Sequence, residues 1–560
     1  MRLNPIPGVT KKGDGVKPRA AERCGWLSVV HRRASGNFRE LRLVALSLAR
    51  DIATNAGEND GGRMRSLLVR RPDLLYVLIA GYCLLSIILK VLRPDSLEID
   101  ESEQALLSQY LLLGYGAQPP FYNWLQYGVV ALFGISVASL AIVKNGLLFL
   151  FLLFYGLTAR LLSSSRLAPA VAVLGVLTLP PVFLLSQRDL SHTVAALFAV
   201  SLFLYGFFRA LKSPPKVSHY LLVGVAVGLG AISKYNFVIL PVAALLAILP
   251  EAKLRKYLFD WRVLASVAVC AMIVAPHAYW IVNNLGHATG VTVAEMKEGA
   301  DSARLPHAIQ GLVSLAVSAL KGVALTLAVF GLLFYADVGK ILRAESLGTR
   351  VIGRMIVACF LIIAFIVVAM DATHIRAKWL ALFTALLPLY LTLKIDAADL
   401  DPARRLPALF SISGILSVGV IVMLWARVFV GPMIGDYSFA HTPYNGFAST
   451  VRADPGPPPV AIVVDDRIVA GNLRIQFPDT PIILTGFSQE AEKHLPPGRI
   501  LAAWSAEGKG REEVPPRITG LLQLMPVRIA DAKPTIVSVP YNAGRPGDTY
   551  TFAYIWADFH

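Results

Sequence analysis

The chain has 560 residues, of which 55% are hydrophobic and only 16% charged, and its mean hydropathy is +0.58. A soluble domain carries about 25% charge, so this composition excludes a disordered chain and argues strongly against a water-soluble enzyme. The net charge of +16 calls for an anionic partner, and for an apolar chain the first candidate is the membrane lipid surface rather than nucleic acid.

Residues 1–63 are polar and basic, and they lack the charged–apolar–small order of a cleavable signal. They read as a poorly ordered tail in which 38–52 could form an amphipathic surface helix. Met64, followed by Arg65, Arg70 and Arg71, is an alternative start to Met1.

Apolar runs then follow at 74–92, 138–159, 168–186, 193–211, 219–233, 236–250, 263–282, 309–336, 352–370, 377–393 and 407–430, with 119–134 as a weaker candidate. A helix needs about 20 apolar residues to cross a bilayer. These runs predict an all-α polytopic membrane protein of about 11–13 transmembrane helices. With the N-terminus inside, the inner loops hold twenty Lys and Arg and the short outer loops seven, which follows the positive-inside rule. Of the four cysteines, Cys83, Cys270 and Cys359 sit in apolar runs, and no pair suggests a disulfide framework or a zinc site.

After Val430 the chain turns rich in Pro, Gly and charge. Short apolar runs at 459–464, 481–484, 499–503 and 536–539 predict strands, with a helix or strand at 473–477. The expected organisation is a tail (1–63), a membrane domain (64–431) with a first outer loop at 94–137, and a small α/β domain (432–560) on the outer, periplasmic side.

The chemistry concentrates on the outer ends of the spans. The first outer loop places five carboxylates, Asp95, Glu98, Asp100, Glu101 and Glu103, within nine residues. A carboxylate can act as general base toward a hydroxyl. Asp100 with Glu103 three residues on also matches a capping box, and both readings stand. Residues 118–124 come next, with the order Gln118-Pro119-Pro120-Phe121-Tyr122-Asn123-Trp124. Arg188-Asp189, then Ser191-His192, close the third run; an Arg-Asp pair there can also be interfacial snorkelling. Lys234 interrupts the apolar stretch 228–241 as a turn charge or a phosphate ligand. His277 and Trp280 lie near the outer end of the next span. His374, Arg376, Lys378 and Trp379 form another outer cluster that could equally anchor the interface. Asp465-Asp466-Arg467 either contacts glycan or caps a strand end. No Gly-rich phosphate loop precedes a helix, as a nucleotide enzyme would need.

Together these motifs resemble the GT-C glycosyltransferases of the protein-mannosyltransferase and aminoarabinose-transferase type. The resemblance rests on Asp100-Glu101, the Gln-Pro-Pro-aromatic segment, Arg188-Asp189, the Gly228–Lys234 motif and Arg376-Ala377-Lys378-Trp379, and it covers about residues 70–430. Phe121 stands where the pattern usually has Leu. It implies inverting transfer of a sugar from a polyprenyl-phosphate donor to a lipid or lipopolysaccharide acceptor at the periplasmic face of the bacterial inner membrane. In that reading Asp100 is the base, Glu101 and Asp189 support the acceptor or a divalent cation, and Lys234 and Arg376 bind the donor phosphate. Arg188, Lys378, Tyr122 and His277 join the substrate-binding set. The sequence offers no closed metal-ligand set. The forms of Glu103-Gln104 and of 118–124 are similar to the lipopolysaccharide-modifying branch, galacturonosyltransferases included. A transporter or lipid flippase would also explain the spans and the prolines at 180, 181 and 241. A membrane-anchored display protein would explain only the tail domain.

Overall fold

The computed structural model describes residues 69–559 apart from 189, 299–304, 486, 488–494, 509–511, 526 and 529–532. The N-terminal tail, its surface helix, Met64 and Asp189 therefore lie outside the described residues. The chain divides after Leu74, and the unit Leu75–His560 contains both the membrane helices and the sheet domain.

Every apolar run becomes helix. The elements in chain order are α1 (Leu74–Val91), α2 (Ile99–Leu107), α3 (Phe121–Phe133), α4 (Val137–Leu162), α5 (Ala168–Val176), α6 (Ser191–Lys212), α7 (Val217–Ala231), α8 (Ile239–Ile248), α9 (Val263–Asn283), α10 (Leu285–Met296), α11 (His307–Leu333), α12 (Leu347–Ala369), α13 (Leu386–Ala397) and α14 (Leu406–Val430). Among the described residues eight helices are long and apolar enough to cross a membrane, or nine if one bent pair is a single span. The expected count of 11–13 is reached only by adding the two shorter apolar helices, Val217–Ala231 and Tyr235–Ile248, to that bent pair. The half-strength run 119–134 forms the 13-residue α3, too short to span alone.

The bent pair is α5 and Pro181–Arg188, which meet at 70°. Proline removes a backbone donor and clashes with the preceding turn, so Pro180-Pro181 ends the α-ladder and the chain continues as a π-turn, Pro181–Leu185. Packing sorts the helices by depth. In the spanning window of α6, 83% of residues are buried, against 11% in α9. The side chains that α9 and α12 leave bare are apolar, such as Leu264, Val267, Leu361 and Phe365. A bilayer, not water, suits such a surface.

Beyond α14 the chain forms α15 (Tyr444–Ala453), β1 (Ala461–Val464), α16 (Arg467–Gln476), β2 (Ile482–Leu484), β3 (Gly498–Ser505), α17 (Pro516–Leu524), β4 (Val527–Arg528), β5 (Thr535–Pro540) and β6 (Thr549–Phe559). The sheet order is β2-β1-β3-β6-β4, with β5 also on β6. β1 is parallel to β2 and β3, whereas β3 and β5 run antiparallel to β6. Side chains alternate across the strands. Ile462, Val464 and Leu501 face a core with Phe447 and Leu473, and Val463, Ile483 and Trp504 face a second core with Ile518 and Leu522. The four expected strands form, 473–477 falls largely within α16, and β6 is an additional strand of 11 residues. Leu106, from α2 in the first loop, belongs to the first of these cores. That loop helix is thus packed as part of the sheet domain.

Candidate functional site

The site grows from the first turn of α2. Glu98 is the N-cap, and its N–H donates to Glu101 Oε2 at 3.4 Å. The capping box therefore starts at Glu98 rather than joining Asp100 to Glu103, which leaves Asp100 inside the first turn for other partners. Asp100 Oδ2 accepts the N–H groups of Leu190 (2.7 Å) and Ser191 (3.2 Å). These belong to the start of α6, where free amides and the helix dipole favour an anion. Leu190 holds φ at 70°, a left-handed conformation that costs a non-glycine residue about 1–2 kcal/mol. Oδ1 of Asp100 makes no hydrogen bond among the described residues.

Lys234 reaches the same turn. Its Nζ donates to Thr193 Oγ1 at 2.8 Å. Burial lowers the ammonium to about 8, with the charge of Lys378 adding and Asp100 opposing. The backbone places it there because α7 ends at Ala231, and the next four residues after Lys234 form a 3-10 turn, Tyr235–Val238. A Cβ on Gly230 would overlap the Phe237 ring, so this tight reversal needs glycine at 230. Phe121 N–H donates to Ile232 O at 2.9 Å, which ties the start of α3 to the reversal.

Residues 118–124 interlock with these elements. Tyr122 is buried, its ring 5.7 Å from that of His192. Asn123 Nδ2 donates to Gln104 Oε1 at 3.1 Å, and Gln104 Nε2 lies 3.3 Å from His192 Nε2. Trp124 Nε1 donates to Leu112 O at 2.7 Å. Sequence reasoning did not single out Gln104, Asn123, His192 or Thr193 as site residues. The one local signal was their position beside acidic or prolyl motifs.

The remaining predicted residues fall into three places. Glu101 turns away from Asp100, pairs with Lys90 and lies 3.8 Å from Lys144. Burial would raise this carboxyl, but the two lysines outweigh it and hold it down at about 2. His277 is buried between rings: it stacks on Tyr235 and Trp280, its Nδ1 is 2.8 Å from Leu113 O, and its Nε2 is 3.1 Å from Tyr235 Oη. It links the first loop to the Lys234 turn. Arg376 pairs with Glu295 (3.3 Å) and Glu298 (2.9 Å) and lies over the Trp379 ring. Lys378 sits in the adjoining 3-10 turn, Ala377–Leu380, which Asn236 holds to the Lys234 turn by donating to Trp379 O at 2.9 Å. Arg188 ends the helical turn just before Leu190.

The sheet domain holds α2 from the other side. Glu103 pairs with Arg467 at 2.9 Å, and burial raises its carboxyl, with Arg467 opposing and Asp100 adding. Asn472 Oδ1 accepts Leu97 N–H at 2.7 Å, and its Nδ2 donates to Ser102 Oγ at 3.1 Å. A Cβ on Gly471 would overlap the Ser102 backbone, so α16 and α2 touch backbone to backbone. Gln109 brackets the β2 edge: it accepts Ile482 N–H at 2.8 Å and donates to Ile482 O at 3.2 Å. Within the Asp465-Asp466-Arg467 motif, Asp466 caps α16 through the N–H groups of Ile468 and Val469.

Among the described residues no three His, Cys, Asp or Glu side chains come together to hold a metal. The arrangement offers a fixed carboxylate and a half-buried ammonium at one helical turn. Such a pair can take a proton from a hydroxyl and neutralise a leaving phosphate.

Known proteins are similar to this chain in sequence and in fold. The family described as dolichyl-phosphate-mannose-protein mannosyltransferase matches residues 117–280. The lipopolysaccharide core galacturonosyltransferases RgtA and RgtB of Rhizobium johnstonii are 40% and 38% identical to the chain. Each alignment spans 86% of this chain, with 96% and 97% of the relative covered. The crystal structure of ArnT from Cupriavidus metallidurans bound to undecaprenyl phosphate shares the fold at a TM-score of 0.54 and 14% identity, over 85% of this chain and 97% of that one. The chain belongs to the GT-C glycosyltransferases, in the bacterial lipopolysaccharide-modifying branch that includes these galacturonosyltransferases.

Proposed function

We propose that the enzyme transfers a galacturonosyl unit, with inversion, from a polyprenyl phosphate to a sugar hydroxyl of the lipopolysaccharide core. The observation that carries this reading is the shared first turn of α6. Asp100 accepts its amides while Lys234 donates to Thr193 three residues on. The acceptor oxygen attacks the anomeric carbon as the bond from that carbon to the phosphate oxygen breaks. Asp100 takes the hydroxyl proton, and the electron pair leaves with the polyprenyl phosphate. Lys234 offsets the charge growing on that phosphate. The names of the relatives supply the uronic acid and the core acceptor. A uronosyl phosphodiester carries a second anion, and Lys378 is the cation assigned to it.

In this reading Glu101 positions α2 through Lys90 and Lys144, and Arg188 borders the acceptor side. Tyr122, against His192, and His277, between Tyr235 and Trp280, hold the first loop to the α6 and Lys234 turns, and Arg376 holds the Lys378 turn. The charge bias between the loops supports a site on the periplasmic face of the inner membrane with the N-terminus in the cytoplasm. The test is transfer by purified enzyme from polyprenyl-phosphate galacturonic acid to isolated core. Wild type adds a hexuronosyl unit, read by mass, and Asp100→Asn does not. A wild type that transfers only a pentose or a neutral hexose would overturn the substrate, and an active Asp100→Asn the base.

A further inference from the structure

A second charged region lies at the far ends of the helices that frame the site. α8 runs from the Lys234 turn toward Glu251, and α12, capped by Ser346, runs toward Arg376. α12 is about 34 Å long at 1.5 Å per residue, enough to cross a bilayer. Between α8, α12 and α13 lies a groove of about 500 Å³. Arg350 Nε and Arg354 Nη1 both approach Glu251 Oε1, each at 3.0 Å. Lys394 closes the same end, donating to Leu342 O (3.0 Å) and Ala344 O (2.6 Å). Glu345 is the carboxylate of the lining itself, and Glu251 adjoins the groove through the two arginines. Three cations and two carboxylates thus share this end, with Arg350 and Arg354 on Glu251 and Lys394 on backbone carbonyls.

Below this polar end the lining is apolar. Gly353 admits the Tyr390 ring, which a Cβ there would meet at 3.1 Å. Val357 and Leu361 continue the wall and are 58% and 65% exposed. Phe365, one further turn along the same face, is 72% exposed, so the apolar track runs on beyond the groove. A cationic end that opens onto a bare apolar track fits an amphiphile with an anionic head. Neither a soluble anion nor a neutral lipid uses both halves.

We propose that this groove binds an anionic glycerophospholipid of the leaflet opposite the candidate site, its phosphate at Arg350 and Arg354 and one acyl chain along Val357, Leu361 and Phe365. Its occupancy does not depend on the transfer reaction. Basic pockets between spanning helices are a recurrent way of holding such head groups. Glu251 acts here as the competitor that the head group displaces.

The test is native mass spectrometry of the full chain in detergent, with phosphatidylglycerol, phosphatidylcholine or polyprenyl phosphate added. Wild type retains phosphatidylglycerol in preference to phosphatidylcholine. R350Q/R354Q lowers that retention by roughly tenfold or more. Val357→Trp, which fills the track without touching the ion pairs, lowers it too. Glu251→Gln raises it, a gain that a merely structural ion pair would not give. D100N retains the lipid as wild type does, whatever becomes of the transferase reading. Equal retention of both phospholipids overturns the proposal, as does loss in Glu251→Gln. Displacement of phosphatidylglycerol by polyprenyl phosphate in wild type would assign the groove to the donor and overturn it as well. If R350Q/R354Q does not fold, Val357→Trp and Glu251→Gln decide.

Discussion

Asp100 caps a helix that begins ninety residues further along the chain: its Oδ2 accepts the N–H of Leu190, which is held at φ 70° to present it. The carboxylate is oriented by backbone, not by a neighbouring side chain. Asp100→Asn keeps an oxygen for those two amides, so the fold should persist. Loss of a general base costs about 10²- to 10⁴-fold. We expect kcat to fall by that amount while polyprenyl-phosphate binding and the melting temperature in detergent stay near wild type.

Gly471→Ala tests the hold of the sheet domain on α2. The new methyl would overlap Ser102 O, where only backbone can yield. Displacing α2 displaces Asp100, and small misplacements of a reacting group can cost on the order of a hundredfold. The expected result is a large fall in kcat with the donor KM little changed. Asn472→Ala, which removes the bonds to Leu97 and Ser102 but adds no clash, should give the same split more mildly.

Lys234 sets a pH limit. Burial lowers its ammonium to about 8, below the ordinary lysine value. It is charged below that pH and neutral above it, so donor affinity should fall as pH rises through about 8. A KM profile for the donor between pH 6.5 and 9.5 reads this directly. Lys234→Arg, whose guanidinium stays charged, should flatten the profile even if its absolute KM is worse.

Glu101 with Lys90 and Lys144 is a buried ion cluster with one anion. Glu101→Gln strands two lysines, and breaking such a group costs about 3–5 kcal/mol. Thermal unfolding in detergent should show it. The folded carboxyl lies below its unfolded value, so its contribution is present above the unfolded pKa and is lost as pH falls toward about 2. Between pH 5 and 7 the stability difference between wild type and Glu101→Gln should therefore be nearly constant.

The helices, and Asp100 and Lys234 as candidates, were legible in the sequence for a plain reason. Apolar runs announce themselves by length, and Asp100 and Lys234 stand out because charge is scarce beside such runs. What was hidden is non-local. Nothing near Gly471 or Asn472 signals a partner in the first loop, and Gln109 reads as an ordinary loop glutamine until Ile482 lies beside it. Lys144, inside an apolar run, gave no local sign that it would face Glu101. The strand β6 escaped because Thr and Tyr break up its apolar pattern, although it is the longest in the sheet. The span count depended on Pro180-Pro181, which fold one continuous apolar run into two pieces.

The glycine crossing between α16 and α2 leaves no room for even one extra carbon, and it joins the sheet domain to the helix that carries Asp100. An inhibitor directed there would have no sugar to imitate and no lipid to outcompete. It would act as a wedge, and resistance by enlarging either contact surface would itself cripple the enzyme.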